Sequence, residues 1–396
     1  MRGCEDIGIH VIGMQFTCPC MLRKSPRRYL AGSRWTILIT NMNGESMTGT
    51  SRVEKVARAT LKDVALQANV SIKTVSNVVH ARTSRVSPAT RERILQAIAD
   101  LDYRPNIAAR QLRNAEVGII ALAIPTLANP YFATIANLIV DAGTRQKRIV
   151  LVDHTNGLRE QELMTVRGLR PDVVDGIIFD PQTLSEDDIC GISSSLPVVL
   201  IGERLLHANF DHVLIDNEEA ALQATTYLLG LGRRRIAAIG VVESGVPMAQ
   251  QYRYRGYGRA LAAAGIGLDA KLTVPANSGM FVRADGAEAM KALVDRGPLP
   301  DAIFCFNDLM AIGAMRTAQS LGIRIPDDIA FIGIDDIEEG RYSTPSLSTI
   351  APDKWKLANL AVDLLIQRIE SRRHENPSVH YVPFDLIARE STGTLT

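Results

Sequence analysis

Four side chains stand where a folded chain commonly holds a ligand. Asn307 and Asp308 directly follow the apolar run 302–306, and Asp335 and Asp336 follow the run 329–334. Arg253 opens the stretch Arg253-Tyr254-Arg255-Gly256-Tyr257 just before a helical pattern, and Phe281 lies in a loop. A carboxylate (Asp335), an amide (Asn307), a guanidinium (Arg253) and an aromatic face (Phe281) together suit a sugar. They offer paired acceptors and donors for its hydroxyls and a ring to stack on. For Asp308 and Asp336 the plainer role, capping a helix N-terminus, is preferred.

A second constellation lies upstream. Ile72, Lys73, Ser76 and Asn77 are read as the outward positions of a short helix whose inward positions are Val75, Val78 and Val79. Ile72 can meet a thymine methyl, Lys73 can donate to guanine O6/N7 or to a phosphate, and Asn77 carries the paired donor and acceptor that match adenine. For any one of them a solvated helix face is the alternative.

The elements that would carry these residues follow from periodicity. Leu61, Val64, Ala65 and Ala68 form one face of a first helix, with Thr60 as its N-cap and Asp63 in its first turn. Asn69-Val70 makes a tight break, and Ser71 caps the second helix. Ser87-Pro88 opens a third, with Ile94, Leu95, Ile98 and Leu101 as its apolar face. Three short helices with a tight turn between the first two make a helix-turn-helix, whose second helix enters the major groove. Beyond residue 116 apolar runs at 117–124, 149–152, 176–179, 198–201, 236–239, 302–306 and 329–334 read as buried parallel strands. They alternate with amphipathic helices at 131–144, 218–231 and 283–295. That is an α/β doubly wound pattern, long enough for two parallel-sheet subdomains whose ligands bind beyond the strand carboxyl ends.

Charge separates the same two parts. The 396 residues hold 44 Lys/Arg and 43 Asp/Glu, a net of +1. Residues 1–115 carry 18 basic and 8 acidic residues, net +10, and residues 116–396 carry 26 and 35, net −9. A basic front is the electrostatic footprint of a nucleic-acid binder, because phosphate contacts supply most non-specific affinity. Five scattered cysteines (4, 18, 20, 190 and 305) fit a reducing cytoplasm better than a disulfide framework. Cys18-Pro19-Cys20 with His10 nearby is a possible metal set, but unpaired thiols are favoured because no second ligand pair follows. No apolar run reaches membrane-spanning length, and no secretory signal is read at the N-terminus. Residues 1–59, rich in Gly, Ser, Thr and Asn clusters, are expected to be mostly disordered, with Met47 as a candidate natural start. Arg233-Arg234-Arg235 is read as a solvated turn.

The segment 60–79, Thr-Leu-Lys-Asp-Val-Ala-Leu-Gln-Ala-Asn-Val-Ser-Ile-Lys-Thr-Val-Ser-Asn-Val-Val, and the later Tyr103-Arg104-Pro105-Asn106-Ile107-Ala108-Ala109-Arg110-Gln111-Leu112 resemble the lactose-repressor (LacI/GalR) family of transcriptional regulators. So do Asn129-Pro130-Tyr131-Phe132, Arg253-x-x-Gly256, the stretch from Phe306 to Ala311, and Gly333-x-Asp335-Asp336. The resemblance covers residues 60–396. It implies a helix-turn-helix headpiece at 60–105, a hinge helix at 106–115 and an effector-binding, dimerising core at 116–396. The core resembles periplasmic sugar-binding proteins, with subdomain one at about 117–217 and 352–380 and subdomain two at about 218–351 and 381–396. By this resemblance Ile72, Lys73 and Asn77 read bases, and Thr60, Ser71, Thr74, Ser76 and Arg85 hold phosphates. Ala109 and Leu112 reach the minor groove, with Leu112 as an apolar wedge between base pairs. Arg253, Asn307 and Asp335 bind the effector. The family often has an aromatic before the Asp pair, where this chain has Ile334.

The implied protein is a cytoplasmic regulator and not an enzyme. It needs no cofactor, binds a palindromic double-stranded DNA operator as a homodimer and is controlled by a sugar-like effector, with a purine or nucleoside as second choice. A transport receptor would lack the helix-turn-helix. An α/β enzyme would be expected to show a P-loop, a dinucleotide glycine fingerprint, a G-x-S-x-G elbow or an H-E-x-x-H pair, and none is present. Leu112→Ala is expected to lower operator affinity and leave effector binding intact. Unchanged operator affinity in an anisotropy titration contradicts the wedge.

Overall fold

The computed structural model describes residues 37–40, 46–49, 59–79, 86–101, 103, 117–169, 173–185, 187–188, 196–205, 210–242, 249–276, 281–371 and 376–393. The chain divides into two compact units, Met1–Pro105 and Asn106–Thr396.

In the first unit, β1 (Ile37–Thr40) and β2 (Ser46–Gly49) pair antiparallel. These two strands lie in the stretch expected to be mostly without regular structure. Ile37-Leu38-Ile39-Thr40 is a β-favouring run. Three helices follow: α1 (Leu61–Gln67), α2 (Ile72–Val79) and α3 (Pro88–Asp100). Thr60 and Asp63 form a reciprocal capping box at α1, with the Thr60 N–H donating to Asp63 Oδ2 at 2.8 Å. Asn69, at φ 53°, makes the turn into α2. Val64, Ala65, Ala68, Val75, Val78, Ile94, Ala97 and Tyr103 form the small core. Leu95, expected on the inner face of α3, is 48% exposed, and Ala97 takes the buried place.

The second unit contains two six-stranded sheets. The first subdomain begins with β3 (Ile119–Ile124), α4 (Pro130–Arg145), β4 (Ile149–His154), α5 (Arg159–Gly168), β5 (Gly176–Phe179), β6 (Val198–Ile201) and β7 (Asp211–Leu214). The chain then crosses and builds α6 (Asn217–Gly230), β8 (Ile236–Val241), α7 (Ala249–Ala263), β9 (Thr273–Pro275), α8 (Arg283–Arg296), β10 (Ala302–Cys305), α9 (Asp308–Ser320), β11 (Ala330–Ile334), α10 (Glu338–Arg341) and β12 (Ser348–Pro352). It crosses back into α11 (Lys354–Ser371) and β13 (Val379–Tyr381), and returns a last time as β14 (Phe384–Ile387). The sheet orders are β13-β7-β6-β5-β3-β4, all parallel, and β14-β12-β11-β10-β8-β9, parallel except for β14 at one edge.

The three crossings are bonded to one another. Val382 N–H donates to Leu214 O at 2.8 Å and Asp353 N–H to Pro383 O at 3.0 Å. β4 departs from the expected burial: it is an edge, with Ile149, Leu151 and Val152 exposed rather than buried. The arginine turn 233–235 is anchored as well as exposed, since the main-chain N–H groups of Arg234 and Arg235 donate to the Asp301 carboxylate at 2.7 and 3.0 Å. No described helix is long and apolar enough to cross a membrane.

Helices α8 and α9 meet through a pair of glycines. A Cβ on Gly286 would lie 2.0 Å from the Met310 carbonyl oxygen, and one on Gly313 would lie 1.9 Å from that of Arg283. Neither obstacle is a side-chain end that can swing away, so Gly313→Ala must push the helices apart. It should destabilise the core by about 1–3 kcal/mol in urea unfolding; an unchanged midpoint would contradict this packing.

Candidate functional site

Two groups of residues carry the chemistry, one in each unit. In the first, Ile72 and Lys73 are exposed on the first turn of α2, Ile72 with 48% of its surface free, and Asn77 is half-buried one turn on. Ser71 is exposed, and its hydroxyl accepts from the Thr74 N–H at 3.1 Å and lies 2.8 Å from the Thr74 hydroxyl. Thr60 is exposed at the α1 cap. Ser76 corrects the sequence reading: it is only 5% exposed and faces the headpiece interior. It stands between Val75 and Val78, both buried, on a helix packed against α1 and α3, and its short side chain is buried among them. Arg85, Ala109, Leu112, the hinge 106–115, and the Cys18, Cys20 and His10 set lie outside the described residues.

In the second unit a cavity of about 670 Å³ lies between the two subdomains, and Arg253, Phe281, Asn307 and Asp335 all line it. Each arrives by a different element. Arg253, on α7, is buried, and its Nε donates to Asn217 Oδ1 at 2.6 Å while Nη1 donates to the Phe306 carbonyl. Asn307 caps α9 by accepting from the Met310 N–H at 2.8 Å, and its amide donates to the Phe281 carbonyl at 2.8 Å. One side chain thus fixes both the helix entry and the Phe281 loop. Asp335, after β11, has a buried carboxyl that accepts no hydrogen bond among the described residues. Burial lifts it to about 6 although Arg253 and Lys354 pull the other way.

Facing them from the first subdomain are Asp180, after β5, and Glu203, after β6, both lining the cavity and both buried. Sequence reasoning passed over them. The signal was available, because each follows the carboxyl end of an apolar run, as Asp335 does. Burial, then the neighbouring Glu203 and Glu162 charges, push Asp180 well above the ordinary carboxylate range. Burial also raises Glu203, against the attraction of Arg253 and a hydrogen bond from Asn217. Asn129, Tyr131 and Phe132 complete this wall. Asn129 caps α4 by accepting from the Tyr131 N–H at 3.0 Å.

The capping roles preferred for Asp308 and Asp336 are corrected. The cap of α9 is Asn307. Asp308 is buried, accepting from the Thr349 hydroxyl at 2.7 Å and the Ile337 N–H at 3.0 Å. Asp336 forms ion pairs with Arg341 and Arg389. Asp308 is taken up by buried donors and Asp336 by two cations, and neither caps a helix.

Residues 60–106 match the family described as bacterial regulatory proteins, lacI family, and residues 225–392 match the periplasmic binding protein-like domain. The HTH-type transcriptional repressor PurR of Vibrio vulnificus (strain CMCP6) is 32% identical over 336 residues, which span 84% of this chain and 98% of that protein. The lac repressor dimer bound to operator and the anti-inducer ONPF has a similar structure, with a TM-score of 0.75 at 26% identity over 85% of this chain and 100% of that one. A complex of the transcriptional regulator CelR with cellobiose has a TM-score of 0.63 at 29% identity over 84% and 100%.

Asp180 gives a ligand-free test of the cavity's electrostatics. Its folded-state pKa is raised, so the folded protein binds this proton more tightly than the unfolded chain. Its ionisation therefore costs stability as pH rises from the unfolded value through the folded one. Asp180→Asn keeps the oxygen that accepts from Gln182 Nε2 at 2.7 Å and removes the charge. It should raise the melting temperature by a few degrees near neutral pH, and by less near pH 5. A gain that does not grow with pH would contradict the assignment.

Proposed function

The chain belongs to the lacI family of bacterial regulatory proteins and is a DNA-binding transcriptional regulator with an effector-binding core; from that premise we propose that a neutral sugar, held in the cleft between the subdomains, controls its grip on an operator. The observation that carries the sugar reading is the cleft's lining. Asp180, Glu203 and Asp335 supply acceptors for vicinal hydroxyls, Arg253 and the amides supply donors, and Phe281 supplies a stacking face. Three acidic groups, Asp180, Glu203 and Asp335, face two lining arginines, Arg253 and Arg204; to the extent that the acids ionise they oppose an anion, so a sugar phosphate is a weaker fit than a free sugar. A purine base is the second reading. The PurR relative favours it, and the same acceptors suit ring N–H groups.

On the DNA side, Ile72, Lys73 and Asn77 read base edges, Thr60, Ser71, Thr74 and Arg85 hold phosphates, and Ala109 and Leu112 enter the minor groove. The buried Ser76 is left to the headpiece core. The hydroxyls of Ser71 and Thr74 are already paired at the start of α2, which supports a role in fixing register. A regulator of this kind works in the compartment that holds the chromosome, the cytoplasm.

The operator-binding species is a homodimer on a palindromic site. Ile149, Leu151 and Val152 on the edge strand β4, together with Met164 on α5, expose an apolar surface that suits a second copy of this chain.

A thermal-shift screen of glucose, cellobiose, other neutral sugars and purine bases tests the effector reading. A sugar is expected to raise the melting temperature of the wild type, with the shift lost in Asp335→Asn and Arg253→Ala. Stabilisation by purines alone moves the ligand class to the second reading, and a shift that persists in both variants contradicts the site.

A further inference from the structure

Asp335 and Asp336 both have positive φ, 121° and 45°. Such backbone is strained for a non-glycine residue and persists only where its surroundings enforce it. Asp336 is held by its side chain through Arg341 and Arg389. Asp335 is held through its main chain. Its N–H donates to Ile350 O at 2.9 Å, and its carbonyl accepts from Lys354 Nζ, which also donates to the Asp336 carbonyl at 3.2 Å.

Lys354 is an odd residue for its place. It is the first residue of α11, where a cation opposes the positive end of the helix dipole. Burial pulls its ammonium below the usual lysine range, against the attraction of Asp335, Asp336 and Asp308. Helix α11 packs on the first subdomain, yet both hydrogen bonds from Lys354 reach across to the second. Neither the helix nor its packing accounts for the lysine; the Asp335–Asp336 loop does.

We propose that Lys354 is a positioning residue for the effector cleft: by gripping the carbonyls of Asp335 and Asp336 it turns the Asp335 carboxyl into the cavity and ties it to the crossing segment that joins the subdomains. This rests on the reading of Asp335 as an effector ligand. The lysine also acts on the carboxyl through space. The charged or titratable groups around Asp335 are Arg253 from α7, Lys354 from α11, Asp308 from α9, Tyr131 from α4 and the adjacent Asp336. Arg253 and Lys354 favour the ionised form, so neutralising Lys354 raises the pH at which Asp335 ionises. Hydroxyl donors prefer the carboxylate, so effector affinity then falls away at a higher pH.

The test compares full-length wild type with Lys354→Met, which removes donor and charge, and Lys354→Gln, which keeps a donor without the charge. Hydrogen exchange of the amides of 335–337 is followed without ligand, and glucose, cellobiose and guanine are titrated calorimetrically across the range of about pH 5–8. In Lys354→Met exchange at 335–337 should speed up by about tenfold while α4 is unchanged. Any probe that binds wild type should bind about tenfold more weakly, with its pH midpoint moved up. Lys354→Gln should restore much of the protection but not the midpoint, and if the methionine variant does not fold, the raised midpoint in Lys354→Gln is the reading that decides. Wild-type exchange at 335–337 in Lys354→Met, or an unmoved midpoint with a bound probe, overturns the proposal. If none of the three probes binds wild type, the exchange result still decides the role of Lys354, and the ligand reading is what fails.

Discussion

Three carboxyl groups, Asp180, Glu203 and Asp335, are held out of water around one cavity, and much of the core's architecture follows from keeping them there. A buried carboxylate is stable only with partners; otherwise it takes up a proton. The partners here are few. Arg253 is the cation that acts on both Glu203 and Asp335, and it is fixed by Asn217 and the Phe306 carbonyl rather than by the acids themselves. Asn217 in turn donates to Glu203, so a single amide orients the arginine and one of the acids. The described cleft residues offer these carboxyls few donors; on the proposed sugar reading, ligand hydroxyls would supply them and link binding to the distance between the two walls.

That link is mechanical because the walls belong to different sheets. Asp180 and Glu203 end strands of the first sheet, while Asn307 and Asp335 end strands of the second. Three bonded crossings join them, and among the described residues Asn217 to Glu203 and Lys354 to the Asp335 and Asp336 carbonyls also span the walls. A ligand that bridges the walls favours one relative orientation of the subdomains, and it can shift that equilibrium only by its difference in affinity for the two states.

The strand-end rule made Asn307 and Asp335 legible in the sequence, and the reciprocal cap at Thr60 and Asp63 made the start of α1 legible. The same rule applied to Asp180 and Glu203, but neither stands in an acidic or amide pair that draws the eye, and their importance lies in mutual proximity that spacing along the chain does not encode. β7 was missed because it opens with Asp211-His212. The Asp211 carboxylate is buried because Arg368 and Ser378 satisfy it, and His212 Nδ1 lies 3.3 Å from the Gly202 carbonyl. β4 was misjudged for the opposite reason: an apolar run reads the same on an edge as in the middle of a sheet. Ser76 shows the limit at helix flanks, where a short polar side chain is buried or exposed according to its neighbours. The role of Lys354 was invisible, since it depends on a backbone conformation eighteen residues away.

Proton exchange on ligand binding tests the under-supplied cleft most directly. The stabilising ligand is titrated calorimetrically near pH 6, the value to which Asp335 is raised, in buffers of different ionisation enthalpy. Hydroxyl donors that reach the carboxyls stabilise their charged forms and lower their pKa values, so binding should release protons. A binding enthalpy that is the same in every buffer, or a net uptake of protons, would contradict this account of the cleft.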